Sequence, residues 1–494
     1  MERVGVLIVS YGARESAILD TLCRSNNYNV IPYIVDKQAN PLNLKWIKEQ
    51  GGVHVVDSKL SITTILKVLT TYQNELDYVL CPNENPIVNG LRDKAEKLGI
   101  GVPLLFPTQG YAYERSKVEQ RLLLHKICPN ANPNFKVFSP ENYSEKLDEL
   151  RADVTEWVNE LGGVDRSVVK PDEPGFGKGV GVGGEHFFTM DELLSHALSL
   201  YEANIEGEII RKPFIVEERL EGEESSFQAY CDGHRLAVLP ETRDHKRAFD
   251  GDRGPNTGGM GSYMDNKPWL PFMTSQDRKK EVEIINIIHK YLQGNGYNPN
   301  LLGMPYYVAF MHTRNGPKVL EINSREGDPE IINILPVMKN DLVDVYFSMI
   351  DGNLKSIEVE EKATVATYKV PPNYGNYEKE FPEHVKKKEI GKPVNLASAY
   401  RLIEEHEDLI RFYPASMELR DGKTYALRSR AVCSVGMWSK IENDPGILSM
   451  LNARTLSLTG LRAIKGGSLW FRTDIGSGQH IQKSIEHMRR LRTN

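Results

Sequence analysis

Through its first hundred residues the chain alternates short apolar runs with polar stretches. Val4–Val9, Val30–Val35, Val53–Val56 and Tyr78–Cys81 have the length and β-branched content of buried strands. The polar segments between them have helical spacing, and in one of them Ala17, Ile18, Thr21 and Leu22 share a face. Strand–helix alternation of this kind predicts a doubly wound parallel sheet covered by helices, with ligands at the carboxyl ends of the strands. Gly12-Ala13-Arg14-Glu15 stands at such an end and opens a helix. The free N–H groups there favour a phosphate, although the same residues also read as a tight β–α turn.

The texture changes near Pro107. Ser116–Leu124 is spaced as a helix, and Ser167–Lys170 as a short strand ending in a lysine. The glycine-rich stretch Glu173–Gly184 follows, and then a second extended segment, Glu185–Phe188. Thr189-Met190-Asp191-Glu192 has capping-box spacing ahead of the apolar pattern Leu193, Leu194, Ala197, Leu198. Tyr306–Met311 and Lys318–Asn323 flank Asn315-Gly316, a hairpin signal in a loop of more than two residues. Strand-like runs resume at Ala363–Val370, Thr424–Leu427 and Ala431–Val435, and the chain ends in a basic helix-like tail. Between Asn373 and Pro393 the Lys/Glu-rich stretch predicts a solvated linker or surface helix.

Composition narrows the class. A chain of 494 residues exceeds one ordinary core, so two to four domains are expected. With 40% hydrophobic and 26% charged residues and a net charge of −6, it is globular and has no overall basic character for nucleic acid or an acidic membrane surface. No apolar run approaches the roughly 18 residues that span a bilayer, and Val4–Val9 is too short for a signal segment. The five cysteines are scattered without metal-ligand spacing, as expected of core thiols in a reducing cytoplasm.

Several groups could carry chemistry. Gly179, Gly181 and Gly184 formally match the dinucleotide fingerprint, but they do not open a helix. Gly177-Lys178 is not followed by Ser or Thr, so this is not a P-loop either. What remains is a pliant hairpin with Lys170 before it and Lys178 inside it, which is either a mobile surface loop or a lid over phosphates. Glu321 and Asn323 are i and i+2 of one strand and project to one face. Two hard oxygen donors so placed suit Mg²⁺ completed by phosphate and water, or form an ordinary solvent-facing pair. In Ile215–Glu224 a short strand trails acids that could meet ribose hydroxyls.

The order and type of these groups resemble those of the ATP-grasp ligases, and within them the phosphoribosylamine–glycine ligases, over nearly the whole chain. The firmest part is DHKR (Asp244–Arg247) followed by GPNTGGMG (Gly254–Gly261). VLEINSREGDPE (Val319–Glu330) is similar to that family's metal and substrate strand, and GEESSF (Gly222–Phe227) to its ribose region. FPTQGYAYERSK (Phe106–Lys117) and TDIG (Thr473–Gly476) also fit. The chain departs from the pattern at Ser10-Tyr11-Gly12-Ala13-Arg14-Glu15-Ser16, where the family's glycine-rich loop ends in Arg-Glu-His. It departs again at Glu326, where Phe is usual, at Ile331-Ile332 in place of Thr-Gln, and in extra bulk ahead of Gly177.

The resemblance implies an α/β domain at 1–106, an ATP-grasp domain at 107–355 with a mobile lid at about 130–203, and a small C-terminal α/β domain at 356–494. It implies ligation of glycine to 5-phosphoribosylamine through a glycyl phosphate, at the expense of ATP and with Mg²⁺ or Mn²⁺, in purine biosynthesis. The alternative is a ligase of the same lineage acting on another amine or amino acid. Lys117, Lys170 and Lys178 would hold ATP phosphates, Glu217 and Leu220 would meet adenine, and Glu224 the ribose. Glu321 and Asn323 would bind the metal. Gly12 and Ala13 would receive the ribosylamine phosphate, while Asp244, Lys246, Asn256, Gly258, Gly259, Arg325 and Asp328 would surround the substrates. Arg325, Lys178 and Asn256 would serve the reaction itself. No nucleic acid or membrane partner is implied. A cytoplasmic monomer or small homo-oligomer is expected.

Overall fold

The computed structural model describes residues 1–143, 146–174, 179–205, 208–372, 374–375, 391–442 and 447–493. The four apolar runs at the start form one parallel sheet in the order Val53–Val56, Tyr28–Asp36, Glu2–Ser10, Tyr78–Leu80. From Val4 to Ser10 the central strand is buried without a break, as expected when helices cover both faces. The helix Ala13–Cys23 is buried on almost every side, because beyond the sheet it also packs against the strand Ile410–Pro414 of the C-terminal region.

A second, antiparallel sheet runs in the order Phe135–Phe138, Phe214–Glu218, Ser167–Pro171, Gly181–Val182. The helices Leu147–Glu160 and Met190–Tyr201 close its core through Leu150, Val154, Leu193 and Ala197. Met190–Tyr201 starts where the sequence predicts: the Thr189 side chain accepts from the Glu192 N–H, and the Glu192 carboxylate accepts from the Thr189 N–H. The extended segment expected at Glu185–Phe188 is instead a turn, with only an isolated bridge between Gly183 and Phe187. Gly184, at φ +74°, and the Val182 carbonyl, which accepts from the Glu185 and His186 N–H groups, fold the chain back there.

The largest sheet has nine strands. Its path runs Gly316–Asn323, Tyr306–Thr313, Glu223–Cys231, Thr242–Asp244, Gly261–Met264, Lys362–Lys369, Val432–Ser439, Ile410–Pro414, with Leu236–Val238 pairing off it. This sheet crosses residue 356, so the C-terminal segment expected to stand apart shares its sheet with the central region. The hairpin Tyr306–Thr313/Gly316–Asn323 is tighter than expected: Thr313 pairs with Gly316, leaving a loop of two residues. Gly316 takes φ +109°, a conformation that favours glycine. The basic tail is the helix Gly478–Thr493. All five cysteines are buried and unpaired, and no described helix is long and apolar enough to cross a membrane. Most of the Lys/Glu-rich stretch, at 373 and 376–390, lies outside the described residues.

Candidate functional site

One cleft of about 1060 Å³ opens between the small antiparallel sheet and the large one. Lys117, Lys170, Glu217, Leu220, Glu224, Asp244, Lys246, Asn256, Gly258, Glu321, Asn323, Arg325 and Asp328 all line it. Segments far apart in sequence, from Lys117 to Asp328, are thus brought to one surface. Gly12, Ala13 and Gly259 are buried and do not line it, and Lys178 lies outside the described residues.

The wall near the small sheet is built from crossed charges. The Lys170 ammonium lies 2.7 Å from the Glu217 carboxylate, to which Arg121 donates a fork at 2.5 and 3.1 Å. Burial would raise Glu217, but Arg121 and then Lys170 outweigh it and hold the carboxyl down at about 2. Burial lowers Lys170 despite this partner. The Glu217 carboxylate, expected to meet adenine, is here taken up by Lys170 and Arg121. Arg121 also donates to the carbonyls of Val319 and Leu320. There the strand Gly316–Asn323 carries an extra residue, since Ala309 pairs with Glu321 and Phe310 with Val319. That bulge, clamped by Arg121 and by the Ile322 N–H donating to Gln120, turns Glu321 and Asn323 to the cleft while Val319 and Ile322 stay in the core.

Glu321 has Lys117 at 3.7 Å, and its carboxyl is lowered because Lys117, Lys170 and Lys246 outweigh burial. Lys117 is itself held at the start of the helix Lys117–Ile127. Asp172 accepts from Ser116 Oγ and the Val118 N–H, and the Glu173 carbonyl accepts from Lys117 Nζ at 3.1 Å. Glu224 pairs with Lys246 at 3.0 Å. An ionised carboxylate and an amide side by side on a wall rich in lysines fit a hard dication that shares phosphate oxygens with those lysines.

The far end of the cleft is tied down differently. Arg430, which nothing in its neighbourhood of the sequence singles out, donates to the carbonyls of Gly258 (2.6 Å) and Asp328 (2.9 Å) and to the Asp328 carboxylate (2.8 Å). Tyr368 also donates to Asp328. The N–H of Gly258 donates to the Tyr374 hydroxyl, and that of Gly259 to Thr257 Oγ1. Gly258, Gly259 and Asp328, expected to surround the substrates, thus each have a partner within the protein. Asp244 is left with an unpartnered Oδ1, 2.7 Å from where a Cβ on Gly259 would fall. Burial, then the nearby Glu330, pushes its carboxyl well up. Asn256 lines the cleft half-buried, on the two-stranded ribbon it forms with Arg247. Arg325 sits over the Tyr307 ring, between Glu84 at 3.4 Å and Glu114 at 3.5 Å. Burial lifts Glu114 to about 8 against the pull of Arg325. Glu84 and Glu114 escape the sequence reading because lone acids near a turn carry no signal.

The helix start at Gly12, expected to receive a phosphate, has carboxylates beside it. The Gly12 N–H donates to Glu15 Oε2 at 2.8 Å, and a Cβ on Gly12 would lie 3.8 Å from both that oxygen and Asp328 Oδ2. Two carboxylates thus stand where a phosphate was expected, with Arg14 paired to Glu15 at 2.6 Å. Glu326, the departure where Phe is usual, is buried outside the cleft lining, beside the Tyr230 hydroxyl, and burial raises its carboxyl.

Residues 136–331 match the family model described as phosphoribosylglycinamide synthetase, ATP-grasp (A) domain. The chain is 34% identical over 494 residues to the phosphoribosylamine–glycine ligase of Methanocella arvoryzae, covering 99% of each. It is likewise 34% identical to that of Methanococcoides burtonii, over 99% of this chain and all of the relative. Among solved structures it is similar to phosphoribosylamine–glycine ligase from Thermotoga maritima, with a TM-score of 0.69 at 22% identity over 96% of this chain and 100% of that one. The ADP complex of N5-carboxyaminoimidazole ribonucleotide synthetase shares the fold at a TM-score of 0.58 and 13% identity, over 92% of this chain and 97% of that one.

Proposed function

The chain belongs to the phosphoribosylamine–glycine ligase family, and we propose that it joins glycine to 5-phosphoribosylamine at the expense of ATP, giving glycinamide ribonucleotide, ADP and phosphate. The observation that carries this reading is the cleft itself, where Lys117, Lys170, Glu321 and Asn323 face the Asp244–Arg247 and Gly254–Gly261 segments across one space. In the first step a glycine carboxylate oxygen attacks the γ-phosphorus and the bond to ADP breaks. In the second the amine nitrogen attacks the acyl carbon, the carbon–oxygen bond to phosphate breaks, and the nitrogen gives up a proton. Positioning and charge neutralisation are the protein's main contribution to such a transfer.

Lys170, fixed by Glu217, and Lys117 hold the ATP phosphates, while Glu218 to Leu220 present backbone to the base and Glu224 meets the ribose. Mg²⁺ or Mn²⁺ would be held by Glu321 and Asn323 and would supply neutralisation of phosphate charge. Arg325, aligned by Glu84 and Glu114, receives the carboxylate and its acyl phosphate. Lys246 and Asn256 border the glycine end, and the buried carboxyl of Asp244 closes it. The departure at Glu326 points into the core, so it does not favour a different amino acid. The unpaired thiols support a reducing, cytoplasmic setting.

The deciding experiment is ADP release measured with glycine, with freshly made phosphoribosylamine, and with both. Release that requires both supports the proposal. Release with another amino acid but not with glycine replaces it with the alternative ligase.

A further inference from the structure

Away from the phosphate wall, three side chains from separate segments meet at the rim of the cleft. His245 belongs to the Asp244–Arg247 segment, Asp252 to the turn after it, and His480 to the first turn of the C-terminal helix Gly478–Thr493. Each offers one ligand atom, and the three atoms lie within 4.8 Å of one another. His480 Nε2 is 2.9 Å from Asp252 Oδ2, His245 Nδ1 is 3.6 Å from Asp252 Oδ1, and the two rings meet edge to face at 4.6 Å.

Two features of the surroundings favour an ion here over a self-contained ion-pair cluster. His245 is only 2% exposed, yet its Nδ1 stands farther from Asp252 than a hydrogen bond reaches. Behind the three donors stands an orienting set. Arg472, fully buried, donates to Asp252 at 2.9 Å and to Asp474 at 2.6 Å, and His480 turns its Nδ1 toward Asp474 at 3.8 Å. A carboxylate behind a histidine and a cation behind a carboxylate are the supports that aim metal ligands.

We infer that His245, Asp252 and His480 bind a transition-metal dication of the Zn²⁺ class, at a site separate from the Glu321–Asn323 pair. Two imidazoles and one carboxylate suit Zn²⁺, Co²⁺ or Ni²⁺, whereas Mg²⁺ and Ca²⁺ take oxygen donors. Excess Mg²⁺ therefore does not compete for it. Because His245 and Asp252 also line the cleft, the ion ties the substrate-side segment to the C-terminal helix.

The test uses the full chain, stripped with chelator and titrated with ZnCl₂ in excess Mg²⁺ by calorimetry. One Zn²⁺ per chain is expected, and Co²⁺ in its place should give the visible absorption of a histidine-ligated site. His480→Gln and Asp252→Asn, each checked for an unchanged circular-dichroism spectrum, should weaken binding by at least about tenfold, the smallest loss seen when even an outer support of a metal is removed. Glu321→Gln should leave the Zn²⁺ affinity unchanged while impairing ligation, which separates this site from the ATP reading. No binding to the wild-type chain, or equal binding by the wild type and both site variants, overturns the inference.

Discussion

The two ends of the cleft hold their charges in opposite ways. At the nucleotide end, Lys170 and Glu217 are diagonal neighbours on two paired strands, and Arg121 reaches them from a helix in the next layer. Glu321 and Lys117 stand 3.7 Å apart, farther than a hydrogen bond, and Lys117 spends one of its three donors on the Glu173 carbonyl, which leaves donors for a ligand. At the substrate end, Asp328 is closed by Arg430 and Tyr368, and the N–H groups of Gly258 and Gly259 by Tyr374 and Thr257. The first end keeps charge ready for a ligand. The second uses it to fix loop shape, and recognition there falls to what the fixed loops enclose.

The largest expected effect breaks the open end. Glu321→Gln should lower turnover by about 10²–10³-fold, the scale of losing one preorganised charge-stabilising group, with an unchanged melting temperature. Steady-state ADP release checks this, and unaltered turnover would remove Glu321 from the metal site.

Next comes the support beneath it. Arg121→Met strips the buried Glu217 of its fork and should cost about 3–5 kcal/mol of stability, read from the denaturant midpoint. Glu217 sits at about 2 in the fold against an ordinary 4.5, so its contribution is fully present above pH 4.5 and fades as the pH falls toward 2. The gap between the wild type and a Glu217→Gln variant should narrow through that window.

The closed end is sharpened by Arg430→Met. Losing charged hydrogen bonds of about 1.5–3 kcal/mol should raise the KM for glycine and for phosphoribosylamine by about tenfold or more and leave that for ATP nearly unchanged. A change confined to ATP would reverse the assignment of the two ends. The smallest effect is Glu326→Phe, on the order of 1 kcal/mol of added stability at neutral pH. Burial raises the folded carboxyl above 4.5, so the wild type loses stability as the pH rises from there. The advantage of the Phe variant should grow with pH and vanish below about 4.5, a trend melting curves at three pH values would show.

The sequence by itself determined what repeats over a few residues. The strand–helix alternation of the first hundred residues, the capping box at Thr189, and the same-face placement of Glu321 and Asn323 follow from periodicities of 3.6 and 2 and from local backbone chemistry. The motif order from Phe106 to Glu330 identified the family, and many of those groups line one cleft. Tertiary structure alone decided which of those groups are free. That Glu217 belongs to Arg121 and Lys170, that Glu326 turns into the core, and that Arg430 and Tyr374 close the loop at Gly258 depend on partners brought together from distant segments. A charged residue looks the same in a sequence whether it faces a ligand or an opposite charge. Only the distance to its partner, which folding sets, tells the two apart.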